Sequence, residues 1–260
     1  MSKRGYIIAI SAAALLTVLI CFLIVRKYHE PDENTHAGSM SGNESTDGDA
    51  FEEQEYWTSD LTDEDNRELL DTYKLMKEDN PDFAGYFMVE GTQIAYPVMY
   101  SPKEPEKYIH KDFNGLESDE GLPFIDTRCK LDPDSDNVII YGHNMKDGSM
   151  FASLISYQDR SYFEAHPRVR FDTADEVREY EVMSVFYDRV YYTDEDVFKF
   201  YDFTDAKDES NFDENVALLL KKSVYDTKVT AHYGDKLVTL VTCAYHTEDG
   251  RFVVVAKRCK

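Results

Sequence analysis

Two stretches near the C-terminus restrict most strongly how this chain can fold. Leu237–Cys243 reads Leu-Val-Thr-Leu-Val-Thr-Cys, and 251–257 reads Arg-Phe-Val-Val-Val-Ala-Lys. β-Branched and aromatic residues dominate both, and apolar side chains fall on both faces, so each is a strand that must be covered on two sides. Only 244–250 separates them, ending in Asp249-Gly250, a turn signal that predicts antiparallel pairing. A sheet built around such a pair closes on itself or packs on a second sheet.

The rest of the body follows the same grammar. Residues 85–90 and 92–99 flank Glu90-Gly91 and read as a hairpin. Further strands are predicted at 122–126, Asn137–Tyr141, 169–172 and 177–187. Before them, Thr62-Asp63-Glu64-Asp65 supplies a cap and acids for the positive end of a helix. Leu69, Tyr73 and Met76 put one stripe of that helix on the core, and Pro81 stops it. Met150, Phe151, Leu154 and Ile155 mark a second short helix, and Val216, Leu219 and Leu220 a third. No internal repeat is visible. The expectation is a mainly β domain over 51–260, a closed barrel or sandwich with helical decorations.

Charge divides the chain. Lys and Arg total 28 against 51 Asp and Glu, a net charge of −23. Residues 1–27 hold Lys3, Arg4, Arg26 and Lys27 and no acid, so the remainder carries −27. A body this acidic repels nucleic-acid backbones, and no nucleic-acid partner is expected. The 42% hydrophobic content is enough for one sizeable core. The four cysteines, Cys21, Cys129, Cys243 and Cys259, form no CxxC pair, which excludes a zinc ribbon or a disulfide-dense miniprotein.

Residues 6–25 carry no charge. A helix of that length spans about 30 Å, a hydrocarbon core. The run ends in Val25-Arg26-Lys27-Tyr28 with no small-x-small cleavage site, so it reads as an uncleaved anchor rather than a signal peptide. Lys3 and Arg4 favour a cytoplasmic N-terminus, giving a tail at 1–5, a transmembrane anchor at 6–25, a flexible linker at 26–50 and an external body.

Three strand ends carry candidate chemistry. Val138-Ile139-Ile140-Tyr141-Gly142 ends in His143-Asn144-Met145, Leu237–Cys243 ends in a thiol, and Arg251 opens the last strand. If the last two strands pair, Cys243 and Arg251 lie at one end of the sheet, and a neighbour ending at His143 brings an imidazole to the same cleft. Cationic neighbours favour the thiolate, the nucleophilic form. The imidazolium can protonate a departing amine, and a guanidinium can hold an oxyanion. The bland alternatives are a buried cysteine acting as a small hydrophobe and a histidine at the surface. Cys243 and His246 have ligand-like spacing, but residues three apart on a strand point to opposite faces, and no second pair exists, so no metal is expected. His110, His166 and His232 read as surface or packing residues. Cys129 and Cys259 are inert, or paired if close.

These segments resemble those of class B sortases. Thr239-Leu240-Val241-Thr242-Cys243 matches that family's TLxTC signature, Tyr141-Gly142-His143-Asn144-Met145 its YGHNM segment, and Gly250-Arg251-Phe252-Val253-Val254 its arginine strand. Asn80-Pro81-Asp82-Phe83-Ala84-Gly85-Tyr86, followed by Gly91-Thr92-Gln93-Ile94-Ala95-Tyr96-Pro97-Val98, is similar to its amino-terminal part. The resemblance implies an eight-stranded sortase-type β-barrel with an N-terminal helical extension and short peripheral helices. It implies cysteine transpeptidation at a Gram-positive cell surface, with no cofactor. Cys243 would be the nucleophile, His143 the acid/base and Arg251 the substrate or oxyanion stabiliser, with Asn144, Thr242 and Val241 along the substrate. Partners implied are a secreted protein bearing a C-terminal, NPxTN-like sorting signal and an amine from a peptidoglycan precursor or a pilin lysine. The connection 191–228, with a helix at 212–225, matches the insertion that walls the family's substrate groove. Val241 (often serine in the class), 122–126 and 100–106 depart from its pattern. The alternatives within this frame are pilin polymerisation and a catalytically silent binding module on the same fold.

Overall fold

A computed structural model describes residues 62–259. The expected anchor, the linker, Cys21 and the first part of the expected 51–260 domain lie outside the described residues. Among the described residues no helix is long and apolar enough to cross a membrane.

Helix α1 spans Asp63–Asp79, with three acids in its first turn and Lys77 in its last, the arrangement the helix dipole favours. Lys77 Nζ also donates to the carbonyls of Pro81 and Phe83, each at 2.7 Å, satisfying acceptors just past the helix end. Eight strands follow: β1 Phe83–Met88, β2 Ala95–Met99, β3 Phe124–Ile125, β4 Asn137–Tyr141, β5 Arg168–Asp172, β6 Glu179–Arg189, β7 Leu237–Cys243 and β8 Gly250–Arg258. They close a barrel in the order β1-β2-β3-β4-β7-β8-β6-β5. The pairs β2–β3 and β4–β7 are parallel, the others antiparallel. Of the expected barrel or sandwich, the chain forms the barrel. The main core fills its interior, with Ile139, Leu240, Val253 and Val255 fully buried.

The observed elements depart from the sequence pattern where side chains bond the backbone. The first hairpin loses residues 92–94, because Thr92 Oγ1 donates to the Val89 carbonyl at 2.7 Å and accepts from the Ile94 N–H at 3.1 Å, making a turn. The strand expected at 122–126 shrinks to two residues. Pro123 has no N–H for a ladder, and the Asp126 carboxylate takes the Arg128 N–H into a bend at 3.0 Å. The apolar stripe at 150–155 becomes a 3-10 helix, Ala152–Gln158, followed by α2, Arg160–Ala165. The helix expected at 212–225 is α3, Glu209–Lys222. Asp208 caps its start by accepting from the Asn211 N–H at 2.9 Å.

Cysteine placement settles the pairing question. The three described cysteines are free. Cys129 is buried, its sulfur accepting from the Ile139 N–H at 3.4 Å. Burial pushes its thiol up to about 12, so it stays protonated and acts as a core filler.

A second core packs α1 on the outside of β1 and β2, through Tyr73, Met76, Phe83, Tyr86, Met99 and Tyr108. Beneath it lies a buried ion pair. Arg170 and Asp172 neighbour each other on one face of β5, joined at 2.5 Å, with Asp172 fully buried. Asp172 also accepts from the Arg178 N–H at 3.0 Å and the Tyr73 hydroxyl at 3.3 Å. Removing one partner leaves the other charge buried and alone. Asp172→Ala is expected to lower stability by about 3–5 kcal/mol in chemical denaturation. Lys74→Ala, which breaks the exposed pair to Asp71, should stay within about 0.5 kcal/mol. Equal effects in the two variants would show that the buried pair does not anchor the helix.

Candidate active site

The three predicted groups lie at one end of the barrel, where β4 and β7 end and β8 begins. Cys243 and Arg251 are opposed residues in the β7–β8 ladder, so their side chains stand on one side of the sheet. The Ala244 N–H donates to the Gly250 carbonyl at 3.0 Å. That makes 244/250 a hydrogen-bonded pair and 243/251 a non-hydrogen-bonded one, where opposed side chains come closest.

His143 arrives from the other side of β7. Strand β4 runs parallel to β7 with Tyr141 level with Val241. His143 follows Tyr141 by two residues as Cys243 follows Val241, so the two stand at neighbouring strand ends. The ladder does continue past the named strand: the Gly142 N–H donates to the Val241 carbonyl at 3.0 Å. The Thr242 hydroxyl donates to the Gly142 carbonyl at 2.8 Å, and Asn144 Nδ2 donates to the Cys243 carbonyl at 2.8 Å. These bonds stitch the two strand ends carrying imidazole and thiol. Gly142 is required here, because a Cβ would lie 2.6 Å from the Phe151 ring. Phe151 itself is held by its N–H donating to the His143 carbonyl at 2.8 Å.

The imidazole has a defined proton. His143 Nε2 lies 2.9 Å from the Ile109 carbonyl. A carbonyl only accepts, so Nε2 carries the hydrogen and the neutral ring keeps Nδ1 as its basic nitrogen. The ring also stacks on His110, with centroids 5.8 Å apart and planes 21° apart. His110 lines an open depression of about 390 Å³ together with Glu117, Ser118 and Asp119. Arg251 pairs with no carboxylate among the described residues. One guanidinium nitrogen instead donates to the carbonyls of Gly250 at 2.9 Å and Asp249 at 3.2 Å.

Cys243, His143, Asn144 and Arg251 are all half-buried, while Val241 and Thr242 are each only 1% exposed. Val241 belongs to the barrel core and the Thr242 hydroxyl is engaged by Gly142. The β6–β7 connection reaches the site through the Val190 N–H, which donates to the Asp249 carbonyl at 3.0 Å. Val190, Tyr192 and Tyr245 are exposed at this end of the barrel. His246 does not face Cys243 as a ligand pair would; its ring packs on Tyr187 at 4.8 Å.

Sequence reasoning missed two contributors. The Ile109 carbonyl is a main-chain group that any residue type supplies, so no signal marked it. His110, read as a surface or packing residue, is exposed as expected, but it is also the stacking partner of His143.

One family recurs among the known proteins to which this chain is similar. Residues 88–259 match the sortase domain family. The chain is 32% identical to sortase B of Listeria monocytogenes over 194 residues, covering 74% of this chain and 76% of that protein. It is 30% identical to sortase B of Staphylococcus aureus over 190 residues, 72% of this chain and 75% of that one. Its fold is similar to a Staphylococcus aureus sortase B–substrate complex, with a TM-score of 0.65 and 27% identity, over 74% of this chain and 86% of that chain. The barrel with its N-terminal helix and the extent of these matches lead to one conclusion: the chain belongs to the sortase family and is a cysteine transpeptidase of the sortase B type.

Proposed function

We propose that this transpeptidase is held at the outer face of a Gram-positive cell membrane by residues 6–25, with its N-terminus cytoplasmic. There it cleaves an NPxTN-like C-terminal sorting signal of secreted proteins and transfers them to a cell-wall amine. The observation that carries the chemistry is the opposition of Cys243 and Arg251 in one ladder, with His143 on the adjoining parallel strand end. The substrate class is supported by the similar Staphylococcus aureus sortase B, whose structure was determined as a substrate complex. The membrane location is supported by the uncharged run and its basic flanks.

Each residue then has one task. The Cys243 thiolate adds to the carbonyl carbon of the scissile bond. Arg251 moves a guanidinium N–H from its own turn carbonyls to the oxygen on which charge develops. His143 gives the proton at Nδ1 to the departing amine as the C–N bond breaks, leaving a thioester and a neutral ring. An incoming amine adds to the thioester, its proton passes to Nδ1, and the C–S bond breaks to return the thiolate. Asn144 holds the Cys243 carbonyl and so the direction of the nucleophile. Val241 and Thr242, buried as they are, act on the substrate by keeping the end of β7 in place. Val190, Tyr192 and Tyr245 offer apolar surface beside the scissile position.

Cys243→Ala is expected to abolish cleavage of an NPxTN-type peptide by the full chain. His143→Ala and Arg251→Ala should each reduce kcat/KM by about 10²–10⁴-fold with the unfolding transition unchanged. Turnover near that of the parent in either variant removes that residue from the mechanism. Brief alkylation followed by peptide mass mapping should modify Cys243, while Cys129, buried and held protonated, reacts only after unfolding. Prompt labelling of Cys129 in the folded chain contradicts its place in the core.

A further inference from the structure

Between β2 and β3 the chain runs through residues 100–123 without a helix or strand of its own, yet it presents one main-chain oxygen to His143. That oxygen belongs to Ile109, and the residue before it is the best-anchored one in the segment. Tyr108 is 1% exposed and sits in the core that packs α1 on the barrel. Its hydroxyl donates to Asp82 Oδ2 at 3.0 Å and accepts from Asn80 Nδ2 at 3.0 Å. Burial and the Asp82 carboxylate raise its pKa, so it remains a donor. Asn80 Nδ2 also donates to the Phe113 carbonyl at 2.7 Å, and Lys107 pairs with Asp82 at 2.5 Å. On the return of the loop, the Leu122 N–H donates to the Tyr108 carbonyl at 2.9 Å. Gly121, at φ +56°, passes so close that a Cβ there would lie 2.2 Å from the Ile109 oxygen.

Asn80 directly follows α1 and Asp82 directly precedes β1. We propose that Asn80, Asp82 and Tyr108 are positioning residues for the transpeptidation. By clamping the 100–123 loop to the end of the N-terminal helix, they hold the Ile109 carbonyl as the acceptor for His143 Nε2–H. The clamp thereby selects the tautomer whose Nδ1 takes and returns the proton. This inference rests on the acid/base role proposed for His143 and adds the source of that ring's orientation. It gives the helix outside the barrel a direct line to the chemistry, through two side chains and one peptide unit.

The test combines turnover of an NPxTN-type peptide with ¹⁵N NMR of the full chain labelled in its histidine rings, His143 being assigned by its loss in His143→Gln. In the parent, the neutral His143 ring should show a protonated Nε2 and an unprotonated Nδ1. Tyr108→Phe should shift this pattern toward a tautomer mixture and lower kcat by about ten- to a hundredfold, with KM changed less than twofold. Gly121→Ala displaces the Ile109 oxygen without touching the hydroxyl network and should give the same pair of changes. Tyr157→Phe is the structural control. It removes a similarly buried hydroxyl that donates to the His166 carbonyl, and should leave both tautomer and kcat at parent values. An unchanged His143 tautomer in Tyr108→Phe and Gly121→Ala overturns the clamp, as does a fall in kcat matched by Tyr157→Phe. If His143→Gln itself turns over peptide like the parent, the acid/base assignment fails and the clamp with it. A dead His143→Gln beside a fully active Tyr108→Phe sinks the clamp alone.

Discussion

Strand β7 has a parallel neighbour on one side and an antiparallel neighbour on the other, and the site depends on the register of both. Side chains alternate with a period of two, so a slip of one residue in either ladder would turn Cys243 away from His143 or from Arg251. The core prevents such a slip. Leu237, Val238, Leu240, Val253 and Val255 are buried to within about one per cent, and a slipped β7 would drive Thr239 and Thr242 into their places. Thr239 reinforces the alignment, its hydroxyl donating to Asn137 Oδ1 at 2.8 Å across the parallel pair. The chemistry at the strand tips is therefore held by packing along their whole length.

Much of this was legible in the sequence because the residues concerned act through their own side chains and their own periodicity. The last two strands, separated by 244–249, had few pairings open to them, and they form the one expected. Asn137–Tyr141 was equally plain as a buried run ending at Gly142. Elements were misread where periodicity competes with local bonding. Thr92 converts strand into turn, and Pro123 trims β3 to Phe124–Ile125. The parallel β2–β3 contact, a single residue pair at Met99 and Phe124, is too short to leave a pattern at all. Closure of β1 on β5 pairs Phe87 with Phe171, far apart in the chain, and nothing local encodes it.

The site divides in the same way. The thiol, imidazole and guanidinium are each visible as an out-of-place polar residue at the tip of an apolar strand. What surrounds them is largely main chain: the Ile109 carbonyl on the imidazole, the Gly142 carbonyl on Thr242, the Cys243 carbonyl on Asn144. A backbone oxygen has no letter in a sequence. Its position follows from the fold, so this layer of the site becomes readable only once the barrel and the 100–123 loop are in place.

The guanidinium of Arg251 resting on the carbonyls of Asp249 and Gly250 bears on selectivity between ground and transition states. Those oxygens are uncharged, and so is the carbonyl of an intact peptide. Swapping one neutral acceptor for another gains little, so a resting substrate has small power to pull the cation off its perch. An oxygen acquiring a full negative charge is a far stronger acceptor. The exchange becomes favourable only as bond-making proceeds, which concentrates the attraction at the top of the barrier and leaves the bound peptide free to advance or depart.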